Sequence, residues 1–236
     1  MGVISKVNSS LFPNSSKRPC YLAAVNTHGV KSSPTQPFQA VHAGIGKVAI
    51  GRDPGHANQG VEPKNWQGRY LIDQIVKTKS LVATEVDAQE LLCLQMEKLV
   101  VNAIINPLTT LLDCENGALF RTDELKDVIR ILVEEAVGVI EELPGTQVAG
   151  RFETERLIDY VRQVGIYTGS NTSSMLQDSR AGRETEIDYI NGWIIDKGKE
   201  TGKEVGNHEM LMKMVKDGKK VSFQVARESF SRGSSR

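Results

Sequence analysis

A short α/β region followed by an all-α domain is what this 236-residue sequence predicts. Three observations carry the expectation. Residues 21–25, 38–43 and 47–50 alternate or run apolar over strand lengths, separated by Asn- and Gly-rich turns. From residue 87 onward, apolar positions recur every three to four residues in one segment after another. The longest of these, 87–109 (DAQELLCLQMEKLVVNAIINPLT), is apolar on almost every side, which marks a helix buried at the centre of a core.

In chain order, residues 1–12 read as a short helix with Val3, Val7 and Leu11 on one face. Residues 21–25 read as a strand that breaks at Asn26-Thr27-His28-Gly29. FQAVHA (38–43) alternates in the strand manner, and Gly44-Ile45-Gly46 then turns into a strand at 47–50, so these two are expected to pair as an antiparallel hairpin. Residues 51–68, rich in Gly, Pro and Asn, read as a loop or insertion. Residues 70–79 form an amphipathic helix, and 81–86 a strand leading into the central helix. Pro107 is expected to stop or kink that helix near Asn106. A second helix starts after Thr122 as its N-cap and runs to Pro144. A third covers 151–165, with Phe152, Leu157, Tyr160 and Val164 turned inward. A fourth covers 183–198, with Ile187, Ile190 and Ile194 inward, and a short fifth covers 207–216. The basic, Ser-rich stretch 218–236 reads as a flexible, solvated tail or a binding arm. The expected division is therefore 1–86, 87–217 and the tail.

Composition narrows the function. Lys+Arg and Asp+Glu balance at 29 each, so no global field draws the chain to nucleic acid or an anionic membrane, although a small acidic ligand could still be held locally. The three cysteines, Cys20, Cys93 and Cys114, are widely spaced and form no zinc-type pairs. They point to reduced thiols, hence a cytoplasmic location or, as the alternative, a mitochondrial matrix. With no apolar run of about 18 residues and no signal-peptide design at the start, no membrane span is expected.

Lys98, Asn102 and Asn106 lie at i, i+4 and i+8, and at 100° per residue each step drifts only about 40°, so all three project from one helix face. A buried ammonium needs partners. This one is either a structural lysine satisfied by a carboxylate or carbonyls, or part of a site. Two amides on the same stripe suit a polar substrate better than a hydrocarbon core. The segment 168–188 (TGSNTSSMLQDSRAGRETEID) brings hydroxyls and Glu186 close together, either as a capping loop or as the partner surface for Lys98. Gly44-Ile45-Gly46-Lys47-Val48-Ala49 satisfies the G-x-G-x-x-A pattern, but a pyrophosphate cradle requires a helix after it and a strand follows here. His28 and His42 have no carboxylate or Cys at ligand spacing, so no metal is expected.

The stretches KLVVNAIINPLT (98–109), NGALF (116–120), NTSSMLQD (171–178) and GRETEIDYINGWI (182–194) resemble the C-terminal domain of ketopantoate reductases, the 2-dehydropantoate 2-reductases. NTHGV and VHAGIGKVAIG, within 26–51, resemble the last strands of that family's Rossmann-type nucleotide-binding domain. The resemblance implies NADPH-dependent reduction of the 2-keto group of ketopantoate, on the way to pantothenate and coenzyme A. It implies Lys98 and Glu186 as catalytic residues, Asn102, Asn106, Asn116 and Ser174 as substrate-binding residues, and Glu186 also as the residue facing NADP. It allows a homodimer through the helical domain. The competing readings are a non-catalytic remnant that serves only for pairing, and a related reductase of another 2-keto acid.

The family pattern opens with a strand and G-x-G-x-x-G and later carries Q-N-G-x-G. Here Met1-Gly2 looks like the last two positions of the latter, so residues 1–86 are expected to be the C-terminal part of the Rossmann-type domain, an α/β remnant without a phosphate-binding loop. Fluorescence titration of this chain with NADPH is accordingly expected to show no saturable binding at micromolar protein; a tight isotherm would overturn the expectation.

Overall fold

The computed structural model describes residues 2–32, 36, 38–53 and 68–231. Most of the expected 51–68 loop, residues 54–67, lies outside the described residues, as do 232–236. The chain divides into two compact units, 3–95 and 96–236 with Met1 and Gly2.

In the first unit, α1 (Val3–Leu11) precedes β1 (Leu22–Asn26), β2 (Gly29–Ser32), β3 (Ala40–Gly44), β4 (Val48–Arg52), α2 (Gly68–Lys77) and β5 (Ala83–Glu85). β4 is the central strand, antiparallel to β1 and parallel to β5, with α2 lying between β4 and β5 in the chain. Val48, Ile50, Ile72 and Ala83 form the buried core, because alternate residues of β4 turn to the same face as the apolar side of α2. Arg69 on α2 grips both oxygens of Glu85 on β5, at 2.8 and 2.7 Å.

The expected hairpin of 38–43 with 47–50 does not form. β3 pairs with β2 (Val30↔His42) and β4 with β1 (Val25↔Ala49), so β3 and β4 are consecutive lengths of one arm of an antiparallel ribbon. Gly44-Ile45-Gly46 bridges the two lengths rather than reversing the chain. Gly46 is needed there for close approach, since a Cβ would lie 2.4 Å from the Thr27 carbonyl carbon. Across this join, His28 Nδ1 accepts from Gly46 N–H and meets His42 Nε2, both at 2.9 Å.

The second unit is all helical: most of α3 (Ala88–Leu112), then α4 (Lys126–Ile140), α5 (Thr154–Tyr167), α6 (Ser174–Arg180), α7 (Ile187–Thr201), α8 (Gly206–Lys216) and α9 (Phe223–Ser231). α3 is long and apolar enough to cross a membrane by length and composition, but 72% of its apolar window is buried in the protein, as for a core helix. The Thr122 side chain makes no capping bond; Asp123–Leu125 is a 3₁₀ turn and α4 begins after it. On α5 the inner face is Leu157, Val161 and Gly165, with Tyr160 and Val164 half-buried at its margin.

Two expectations change in this unit. Pro107 does not end α3, which continues to Leu112. A proline has no N–H to donate to the carbonyl four residues back, and here that carbonyl, Ala103, receives the Asn191 side chain of α7 at 2.9 Å. Residues 219–231 are not a free tail either. Ala226 and Phe230, one helical turn apart on α9, are fully buried. Lys220 donates to Thr110 O at 2.6 Å and Val221 N to Leu111 O at 3.0 Å, which holds the segment to the end of α3.

Asn191 Nδ2 also contacts His208 Nδ1 at 3.0 Å, and His208 Nε2 lies 3.0 Å from Leu132 O. These contacts fit a neutral imidazole that accepts at Nδ1 and donates at Nε2. Burial pushes this imidazole from 6.5 down to about 4. The unfolded chain therefore binds a proton that the folded chain refuses, and stability falls with pH between those two values. Thermal melts should show a loss approaching about 3 kcal/mol from this group as pH drops from 6.5 to 4, from 1.36 kcal/mol per unit. The slope should flatten in His208→Asn.

Candidate active site

α3 presents Lys98, Asn102 and Asn106 along one face, and accessibility falls along it: Lys98 is exposed, Asn102 intermediate and Asn106 buried. The expected fully buried lysine is thus a side chain that reaches solvent from packed surroundings. Those surroundings still lower its ammonium below the usual lysine value, by desolvation, and the charge of Glu186 opposes the shift. Glu186 is the residue from which α7 starts, and is itself exposed.

Glu97, next to Lys98 in sequence, is buried and faces elsewhere. Arg151 grips both its oxygens at 2.9 Å and Arg156 adds a third bond at 2.6 Å. That carboxylate is engaged by two guanidiniums, while the charge of Glu186 acts on Lys98.

The polar segment before α6 is fastened to α3 and to the 116–120 turn. Thr109 Oγ1 and Ser173 Oγ share a buried hydrogen bond of 2.7 Å. Asn116 N donates to Asn171 O and Gly117 N to Gly169 O, each at 3.0 Å. The chains approach closely because Gly117 and Gly169 face each other; a Cβ on Gly117 would sit 2.8 Å from Gly169 Cα. Asn116 is buried, gives its amide N–H to Thr168 Oγ1 at 3.0 Å, and keeps Oδ1 buried without a hydrogen-bond partner. Ser174, by contrast, is the exposed first residue of α6, while Ser173 is its N-cap and accepts from Leu176 N.

The predicted residues accordingly fall into two groups within this unit. Lys98, Asn102 and Asn106 share a helix face with Glu186 in electrostatic reach of the first, and Asn116 and Ser174 lie on adjoining parts of the fastened loop. Sequence reasoning missed α6, Ser173 and the Glu97 cluster. Ser173-x-x-Leu176 carried an N-cap signal for α6, whereas nothing local announced that Glu97 would meet Arg151 more than fifty residues on. Among the described residues, no three His, Cys, Asp or Glu gather as a metal site.

The helical unit thus presents a Lys-Asn-Asn face on α3, a glutamate whose charge acts on that lysine, and a Ser/Thr-rich loop fastened to α3. Residues 90–219 match the family described as ketopantoate reductase PanE/ApbA C terminal, and the chain belongs to the ketopantoate reductase family. It is 32% identical over 92% of its length to a probable 2-dehydropantoate 2-reductase of Schizosaccharomyces pombe, of which it covers 63%. It is 30% identical over 84% of its length to a ketoisovalerate reductase of Beauveria bassiana, of which it covers 52%. Its fold matches a probable 2-dehydropantoate 2-reductase of Bacillus subtilis with a TM-score of 0.64 and 25% identity, over 84% of this chain and 60% of that one. The chain therefore spans roughly half to two thirds of the length of these proteins.

Neighbouring serines should separate structure from binding. Ser173→Ala removes a buried hydrogen bond and an N-cap and should cost about 1–2 kcal/mol in urea denaturation, whereas Ser174→Ala should leave the midpoint unchanged.

Proposed function

We propose that this chain carries the substrate half of a 2-keto acid reductase acting on 2-dehydropantoate, with NADPH as the reductant. The observation that supports this most directly is the Lys98–Asn102–Asn106 face with Glu186 acting on Lys98, in a domain of the ketopantoate reductase family. Residues 1–86 then correspond to the C-terminal part of a Rossmann-type domain and 87–217 to the substrate domain.

A reduced nicotinamide supplies the hydride in such a reaction. Gly44-Ile45-Gly46 is followed by β4 and not by the helix that a pyrophosphate cradle requires, and Glu186 is the residue assigned here to the cofactor. The remaining chemistry belongs to this chain. As C2 of the keto acid is reduced, the carbonyl π electrons move to oxygen, and the Lys98 ammonium stabilises the developing alkoxide and transfers a proton to it. Glu186 keeps that lysine charged. Asn102, Asn106, Asn116 and Ser174 hold the hydroxyl and carboxylate, which fixes the orientation of C2. The unpaired Asn116 Oδ1 is an acceptor suited to a hydroxyl donor.

The ketoisovalerate reductase relative favours a second substrate, a branched 2-keto acid without the hydroxyl. NADPH oxidation should be followed with both keto acids, on this chain and on a form extended through any upstream reading frame. Turnover should favour 2-dehydropantoate at least about tenfold, because amides left facing no hydroxyl lose their bonds. Lys98→Ala should reduce it on the order of 10²–10³-fold. No turnover in either form would reject the proposal, and equal turnover of both acids would move the assignment to the ketoisovalerate reductases.

A further inference from the structure

The interior of the helical unit holds a polar chain that the chemistry above does not use. It starts at Ala103 O, the carbonyl that Pro107 leaves without a helical donor, and passes through Asn191 and His208 to Leu132 O, with contacts of 2.9, 3.0 and 3.0 Å. Asn191 and His208 have no accessible surface. At the far end, Glu135 of α4 accepts from Asn207 N at 2.9 Å and His208 N at 3.0 Å, which fixes the start of α8 and with it the imidazole.

The placement of this chain is what gives it meaning. Ala103 lies on α3 between Asn102 and Asn106, and Asn191 lies on α7 five residues beyond Glu186. α7 otherwise buries Ile187, Ile190, Gly192, Ile194, Ile195 and Gly198, none of which has a polar side chain to fix a register by hydrogen bonding. The Asn191 amide does fix it: its Oδ1 is buried without a hydrogen-bond partner, but its Nδ2 engages both Ala103 O and His208 Nδ1, and a slip would leave that donor and the Ala103 carbonyl unpaired as well in a dry interior. We infer that Asn191, oriented by His208, is a positioning residue that sets the register of α7 on α3 and so places Glu186 against Lys98. This rests on the Lys98–Glu186 pair of the proposed function and adds what holds that pair in place.

The two His208 variants separate positioning from simple stability. Asparagine can replace the Nδ1 acceptor that Asn191 uses, and glutamine can replace the Nε2 donor to Leu132 but not that acceptor. The readout is the titration of Lys98, followed by NMR of the labelled lysine in the full chain and assigned through Lys98→Ala. Glu186→Gln should lower the Lys98 pKa further, since the charge opposing its desolvation is removed. Asn191→Leu and His208→Gln should lower it similarly, and His208→Asn should leave it at the wild-type value even if its melting temperature drops. Should Asn191→Leu fail to fold, the contrast between His208→Gln and His208→Asn decides. A Lys98 that moves in Glu186→Gln but not in Asn191→Leu or His208→Gln overturns the positioning role alone. A Lys98 that ignores Glu186→Gln sinks the pair itself, and the proposed function with it.

Discussion

One missing hydrogen orders the helical unit. Because Pro107 cannot donate to Ala103 O, the middle of the most buried helix exposes a carbonyl inside an apolar core, where an unpaired acceptor costs about 1–3 kcal/mol. Asn191 satisfies it from α7, His208 Nδ1 of α8 accepts from the same Asn191 Nδ2, and Leu132 O of α4 receives the last N–H. Four helices are thereby joined through one buried directional path, to which Glu135 of α4 adds bonds to the start of α8. Apolar packing supplies most of the stability in such a core, and the directional bonds of a polar network supply uniqueness, here with Asn191 Oδ1 left without a partner.

The same geometry sorts the charges around Lys98. Adjacent residues on a helix point about 100° apart, so Glu97 and Lys98 cannot share a face. Glu97 turns inward to Arg151 and Arg156, where three charge-assisted bonds offset its desolvation. Lys98 turns to the polar stripe and meets the charge of Glu186. Desolvation and the charge of Glu186 act on this ammonium with opposite sign, which is the kind of balance that the role proposed for Lys98 calls for.

Much of the fold was legible from periodicity. The helices at 70–79, 87–109, 151–165, 183–198 and 207–216 all appear with shifted ends, since apolar spacing identifies a helix more surely than its termini. The misreadings share a cause. Gly44-Ile45-Gly46 looked like a hairpin turn because turn residues do not say which strands they join, and the partner of β3 proved to be β2. Phe223, Ala226 and Phe230 were hidden by serine and arginine, although their spacing allowed an apolar stripe. In the candidate site, the Lys98–Asn102–Asn106 stripe followed from helix geometry, whereas the exposure gradient along it, Ser173 as a cap and the Glu97 cluster did not.

By itself, then, the sequence determined which residues share a helix face, because 3.6 residues per turn is a local property of the backbone. It also determined the family, through motifs in a specific order. Only the tertiary structure decided what those faces meet: that Pro107 is absorbed by Asn191 instead of ending α3, that Glu97 meets two guanidiniums while the charge of Glu186 acts on Lys98, and that α9 docks instead of fraying. Each of these depends on groups tens of residues apart, and the desolvation and pairing energies that select among such contacts exist only once the chain has closed around them.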